Sequence, residues 1–277
     1  MNRKVFLGFV LVLLTAVSAF TQQYNAEKDF EIDGSEDGIS FIAEYVGTSK
    51  TVSIPPRIQN LQILGILDTA FADKQLTSVI IPNGVMIIGA AAFAANQLTS
   101  IALPNSVERI NYNAFVQNRL TSVTFGNNVR KIERQAFAGN QLTSVTIPDS
   151  LTEIEDQVFM KNRLTSVTIP NSVRIIGSSA FMSNQLTSVT LGNNVREIGD
   201  RAFGINQLTS VTIPNGVTKI GTEAFRQNQL TSVTIPDSVT EIGSKAFADN
   251  QLTSVSIPRG AIVGEGAFDN NVKITRR

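Results

Sequence analysis

The stretch Leu230-Thr231-Ser232-Val233-Thr234-Ile235-Pro236-Asp237-Ser238-Val239-Thr240-Glu241-Ile242-Gly243-Ser244-Lys245-Ala246-Phe247-Ala248-Asp249-Asn250-Gln251 decides the fold, because the chain repeats it with small changes along most of its length. Leu recurs every 22 residues from Leu76 to Leu252 without a slip. Phe keeps the same period from Phe71 to Phe247 and then falls one residue early, at Phe268. A fixed period of this size marks one supersecondary unit stacked many times, here about ten. Within the unit, Leu-x-x-Val-x-Ile puts Val233 and Ile235 on one side of a short strand and Ser232 and Thr234 on the other. Pro236 has no N–H for a ladder, so it ends that strand and opens a turn through Asp237 and Ser238. Val239 and Ile242 point inward from a second short extended piece, which Gly243 breaks. The remaining segment, Ser244 to Asn250, has room for about one helical turn that directs Ala246 and Phe247 to the core.

One such coil cannot stand alone. The burial of its few apolar side chains falls short of the backbone entropy lost by ordering a whole coil. Stacking adds hydrogen bonds between coils and a continuous Leu, Val, Ile and Phe spine, so the unit is expected only in arrays. Asn recurs at 96, 118, 140, 162, 184, 206, 228 and 250, between the Phe and the Leu that enter the core. That place favours an internal ladder, in which each amide satisfies backbone groups of a tight turn, over an exposed binding row. The ends differ from the middle. Residues 20–50 read as an N-terminal cap, with Phe30-Glu31-Ile32 and Ile39 to Val46 alternating like the two strands of a β-hairpin. The array then runs over 51–277, opening with a degenerate coil in which Pro55 and Pro82 lie 27 residues apart. It closes with a shortened coil whose Lys273, Arg276 and Arg277 guard the open edge.

The first residues are of another kind. Arg3 and Lys4 precede an apolar run from Val5 to Leu14, and small residues follow at Ser18 and Ala19. This is the layout of a secretory signal peptide over residues 1–19, cut after Ala19 or at one of the next few bonds. Such a run is short for a membrane-spanning helix, so export without membrane insertion of the mature chain is expected. The full sequence carries 23 basic and 23 acidic residues and has no Cys, His or Trp. There is no basic field for nucleic acid. The side chains that most often bind zinc, copper or iron–sulfur clusters are missing, and so are the parts of a Cys–His or Ser–His nucleophile. Carboxylate pairs remain, with Glu153, Glu155 and Asp156 the tightest group, but at positions that face outward in every coil. Neither a cofactor, a metal nor a catalytic site is expected.

The recurring Leu-Thr-Ser-Val-Thr-Ile-Pro-x-Ser-Val-x-x-Ile-Gly-x-x-Ala-Phe closely resembles the BspA-like leucine-rich repeats of bacterial surface and secreted proteins, over roughly residues 51–275. The resemblance implies a leucine-rich-repeat solenoid of short parallel β-strands, turns and one-turn helices, capped at both ends. Many such repeats carry Cys where Asn184 and Asn250 stand, a departure that suits a Cys-free chain. It also implies adhesin-like binding to host matrix proteins, host cells or other bacteria, with no motif here that names one ligand. The alternative is a structural, self-associating surface component.

Two surfaces stand out as places for a partner. The outward positions of the first strand form columns of hydroxyls: Ser122 and Thr124, Ser144 and Thr146, Ser166 and Thr168, Ser188 and Thr190, Ser210 and Thr212, Ser232 and Thr234. Their rows lie about 4.8 Å apart if the strands pair, which suits an extended protein or other cell-surface polymer. Ile80, Ala102 and Ser256 interrupt the column and argue against an ice-ordering plane. The second extended piece varies more between coils, and Arg109, Arg130, Lys131 and Arg134 are expected to form a positive patch that gives selectivity.

Overall fold

The computed structural model describes residues 23–34 and 38–277; the segment read as a signal peptide lies outside them. Two antiparallel strands, Phe30–Gly34 and Ile39–Tyr45, open the array, with Phe30 opposite Tyr45. The second of them pairs in parallel with Leu61–Ile66 and so begins the stack. The five extra residues of the first coil are taken up by a small hairpin in which Arg57–Ile58 folds back on Leu61–Ile66. Its turn is made by Gln59 and Asn60, both at positive φ.

From there a regular coil lays a three-residue first strand and a two-residue second strand, and paired strands keep a 22-residue register that sets Ser122 on Ser100 and Ile198 on Ile176. The second strands form two continuous parallel runs. One ends at Lys131–Ile132, and the other starts at Glu153–Ile154 and continues to Ile262–Val263. First strands join only in twos, as Ser100–Ala102 with Ser122–Thr124 and Ser166–Thr168 with Ser188–Thr190. Between these two pairs, Ser144 to Ile147 belongs to no strand.

The third side of the coil corrects the expected one-turn helix: it is a pair of tight turns. Ala91 and Ala95 hold φ of 52° and 55°, and the same two places are left-handed in coil after coil, as at Arg201 and Ile205. A right-handed helix cannot pass through such residues. The alternation sends successive N–H groups in different directions. Ala92 and Ala94 close turns onto the carbonyls of Gly89 and Ala91, while Ala91, Phe93 and Ala95 donate along the array to Tyr112, Ala114 and Val116. Each left-handed residue costs roughly 1–2 kcal/mol, and the inter-coil hydrogen bonds it permits offset that cost.

Two columns run through the centre. Tyr45 and the repeated Phe residues stack face to face through to Phe268, at ring-centroid spacings from 4.9 Å (Phe71–Phe93) to 5.9 Å (Phe137–Phe159). Beside them lies the asparagine ladder, buried from Asn96 to Asn228. The Asn206 amide donates to the carbonyls of Phe203 in its own coil (3.1 Å) and Phe181 in the preceding coil (3.0 Å), and its Oδ1 accepts from the Leu186 N–H at 3.0 Å. Each asparagine therefore ties the Phe turn to the Leu strand of the coil before it. Asn206→Ala strands the buried Leu186 N–H and takes one of two asparagine donors from each of the Phe181 and Phe203 carbonyls, which keep Asn184 and Asn228. It is expected to lower stability in urea unfolding by about 1–3 kcal/mol, whereas Asn193→Ala on an exposed turn changes it by less than about 0.5 kcal/mol.

Candidate binding face

Along the first-strand face the strands hold their hydroxyls outward because period-two alternation turns Val and Ile in. Ser122, Thr124, Ser144, Thr146, Ser166, Thr168, Ser188, Thr190, Ser210, Thr212, Ser232 and Thr234 are all exposed. The face is not a uniform plane, because two grooves cut it where Ser144 to Ile147 lacks a ladder. The larger, about 780 Å³, runs across three coils, with Thr146, Thr168 and Thr190 exposed over the buried Ile147, Ile169 and Leu191. A second groove of about 580 Å³ lies between Thr124 and Ser150 and shares Thr146, Ile147 and Asp149 with the first. Asp149 is the one charged side chain among the lining residues of either groove.

Local departures from the repeat shape the second groove. Phe125 replaces the usual Ile and sets its ring edge-on to Phe137 at 5.4 Å. Gly126 replaces the usual Pro, and a Cβ there would lie 2.3 Å from the Pro104 carbonyl oxygen. The turn residues Asp149, Asn171 and Asn193, which line the larger groove, were not singled out from sequence, although the post-proline column of Asn and Asp is visible there. Part of that column is structural: the Asn171 carboxamide accepts from the Asn193 N–H at 2.8 Å.

The second-strand face is more evenly charged than the sequence implies. Arg109, Arg130, Lys131 and Arg134 are exposed, but Arg109 meets Glu133 at 3.6 Å and Lys131 meets Glu155 at 3.1 Å. The positive patch is thereby halved: among the described residues, Arg130 and Arg134 form no ion pair. Glu155 also accepts from the Arg134 N–H at 3.1 Å, as Glu133 does from Tyr112 at 3.2 Å. The carboxylates of Glu153, Glu155 and Asp156 do not gather into a metal-binding group, and no such group occurs among the described residues. No described helix is long and apolar enough to cross a membrane.

This architecture, short parallel strands in 22-residue coils around a Phe and Asn spine, is that of a leucine-rich-repeat solenoid. The chain matches the BspA type leucine rich repeat region, in six copies, over residues 64–181 and 152–275, and it belongs to that family. It shares the fold of a leucine rich cell surface protein from Faecalibacterium prausnitzii A2-165, at 23% identity over 91% of this chain and 86% of that one, with a TM-score of 0.52. A leucine-rich repeat protein from Bacteroides ovatus gives a TM-score of 0.60 at 20% identity, covering 89% of this chain and 65% of the other. No curated protein matches the sequence.

Partial burial pushes the Glu153 carboxyl above its ordinary value of 4.5, and the neighbouring charges of Glu155 and Asp156 add to this, against a smaller opposing pull from Lys131. A raised carboxyl favours the protonated form in the folded state, so stability falls as pH rises from the ordinary value through the raised one. Glu153→Gln is expected to remove that component. Denaturation midpoints of the two chains coincide below this window and separate above it, with the Gln chain the more stable.

Proposed function

We propose that this protein is an exported, adhesin-like binding protein, secreted or held at the cell surface, whose first-strand face takes a partner protein or cell-surface polymer. The observation that carries this reading is the groove beneath Thr146, Thr168 and Thr190. It is long, open to solvent, floored by buried aliphatic side chains and edged by hydroxyls and amides. An extended partner lying along the array meets the same donors and acceptors at each coil, so many modest contacts add along its length. Asp149 supplies the one fixed charge of the groove. Arg130 and Arg134, on the other face, supply a second, basic contact for a partner broad enough to wrap the edge. Family membership supports a role in surface binding, and the two cell-surface and leucine-rich repeat structures that share the fold are consistent with it.

The test is capture of residues 20–277 on immobilised matrix proteins, glycans and whole bacterial cells. Saturable capture is expected on at least one matrix-protein surface. Thr146→Lys, Thr168→Lys and Thr190→Lys together are expected to weaken it at least tenfold, while Thr212→Lys with Thr234→Lys, on the same face beyond the groove, leaves it within about twofold. A folded chain that no surface captures contradicts the proposal and favours a structural, self-associating role.

A further inference from the structure

One coil, residues 142–163, departs from its neighbours at core positions. Leu151 stands where the adjoining coils have Val129 and Val173, and Val158 where they have Ala136 and Ala180; both are buried. Glu155 stands at the position that is Gly177, Gly199, Gly221 and Gly243 in the coils that follow. Those glycines are required by close approach: a Cβ on Gly177 would lie 2.6 Å from the Asp156 nitrogen, and one on Gly243 would lie 2.4 Å from that of Thr222. A side chain at this position therefore demands more room between coils. Asn111 and Glu133 still keep the hydrogen bond to the preceding coil, at 2.9 Å, against 2.7 Å for Gly177 and Gly199. At Glu155, where Leu151 and Val158 add bulk to the same step, the bond to Ile132 is absent from the described residues, and so is the one from Thr152 to Arg130.

The signs of separation converge there. The second-strand sheet stops at Lys131–Ile132 and restarts at Glu153–Ile154. The ring spacing between Phe137 and Phe159 is the widest in the repeated Phe stack. Ser106 and Ser238 donate to the carbonyls of Val85 and Val217 in the coils before them, whereas on the other side of the same coil, at the step that follows it, the Ser172 hydroxyl, whose counterpart acceptor is on Leu151, is buried without a partner at the larger groove. The step stays closed along the third side, where the Gln135, Phe137 and Gly139 N–H groups donate to the carbonyls of Asp156, Val158 and Met160 and the Asn162 amide donates to the Phe137 carbonyl, and at one corner through the Ser150 hydroxyl on the Val129 carbonyl.

We infer that Leu151, Glu155 and Val158 are positioning residues for the binding face: none of them lines either groove, yet together they wedge the strands of this coil away from those of the coil before it and open the grooves around Thr146. Only the use of the grooves rests on the function proposed above; the wedge does not. The three act by spacing, since the bulk they add has nowhere to go except along the array, and the coil opens about its retained third side. Ser172, at the edge of the larger groove, is left with a buried hydroxyl that has no partner.

Two variants of the full mature chain test this. Leu151→Val, Glu155→Gly and Val158→Ala together restore the sequence of the neighbouring coils. Amide hydrogen exchange at residues 152 and 155 is expected to slow at least tenfold, and capture on the immobilised matrix-protein surface to fall at least tenfold. Val217→Leu, Gly221→Glu and Ala224→Val transplant the wedge into a regular coil. Exchange at 218 and 221 is expected to quicken there, which keeps the test decisive should the first variant misfold. Unchanged exchange in both variants overturns the inference. So does a first variant that closes its ladder and is still captured at full strength. If no surface captures even the unchanged chain, the binding proposal fails, and the exchange data alone decide the wedge.

Discussion

Everything in this array hangs on a buried carboxamide that must reach three places at once. In each regular coil one asparagine donates to the Phe carbonyl of its own turn and to the Phe carbonyl of the coil before, and accepts from a leucine N–H of that earlier coil. These partners sit 3, 25 and 20 residues back, so an insertion or deletion anywhere between them breaks the set. A buried amide left without partners is costly, and this holds the period at 22 more tightly than hydrophobic packing does, since packing tolerates small shifts. The irregularities in length fall outside the ladder. The extra residues of the first coil form a hairpin before Asn96 is reached, and the early Phe268 follows Asn250, where Asp269 takes over by accepting from the Asp249 and Asn250 N–H groups.

With the interior fixed in this way, the faces are free to differ. Cross-coil ion pairs such as Arg201–Glu223 and Arg226–Asp249 are partly exposed, and each contributes little to stability, about 0–1 kcal/mol. They decorate a surface whose spacing is set beneath it. The first-strand face behaves otherwise. Its strands pair only in twos, and a single coil with bulkier core residues suffices to leave a segment unpaired and a groove in its place. Interior and surface are coupled at that one step, where core volume sets the shape of the outer face.

Much of this was legible in the sequence. The period, the two strands, the inward Val, Ile and Phe, and the buried asparagines all follow from spacing and residue type. The left-handed turns do not, because Ala91, Gln117, Arg201 and Lys245 are not residues that announce positive φ; the inter-coil hydrogen bonds impose it on them. The hydroxyl columns were readable as exposed, but the grooves between them were not. Leu151, Glu155 and Val158 each look like an ordinary drift of the repeat, and their joint effect is seen only once their coil is placed against its neighbours. The ion pairs that halve the basic patch join residues 24 apart, one coil plus a two-residue stagger, a relation that the pattern of a single coil does not display.

The measurement that tests the account most directly is native-state hydrogen exchange of the leucine amides that donate to the asparagines, from Leu98 to Leu230, over a range of sub-denaturing urea. If the ladder holds the stack together, these amides open only with global unfolding, so they are the slowest in the chain and converge on one urea dependence. Exchange of the same amides as fast as that of the exposed strand residues beside them, with little urea dependence, would show that the coils are held by side-chain packing alone and would contradict the account.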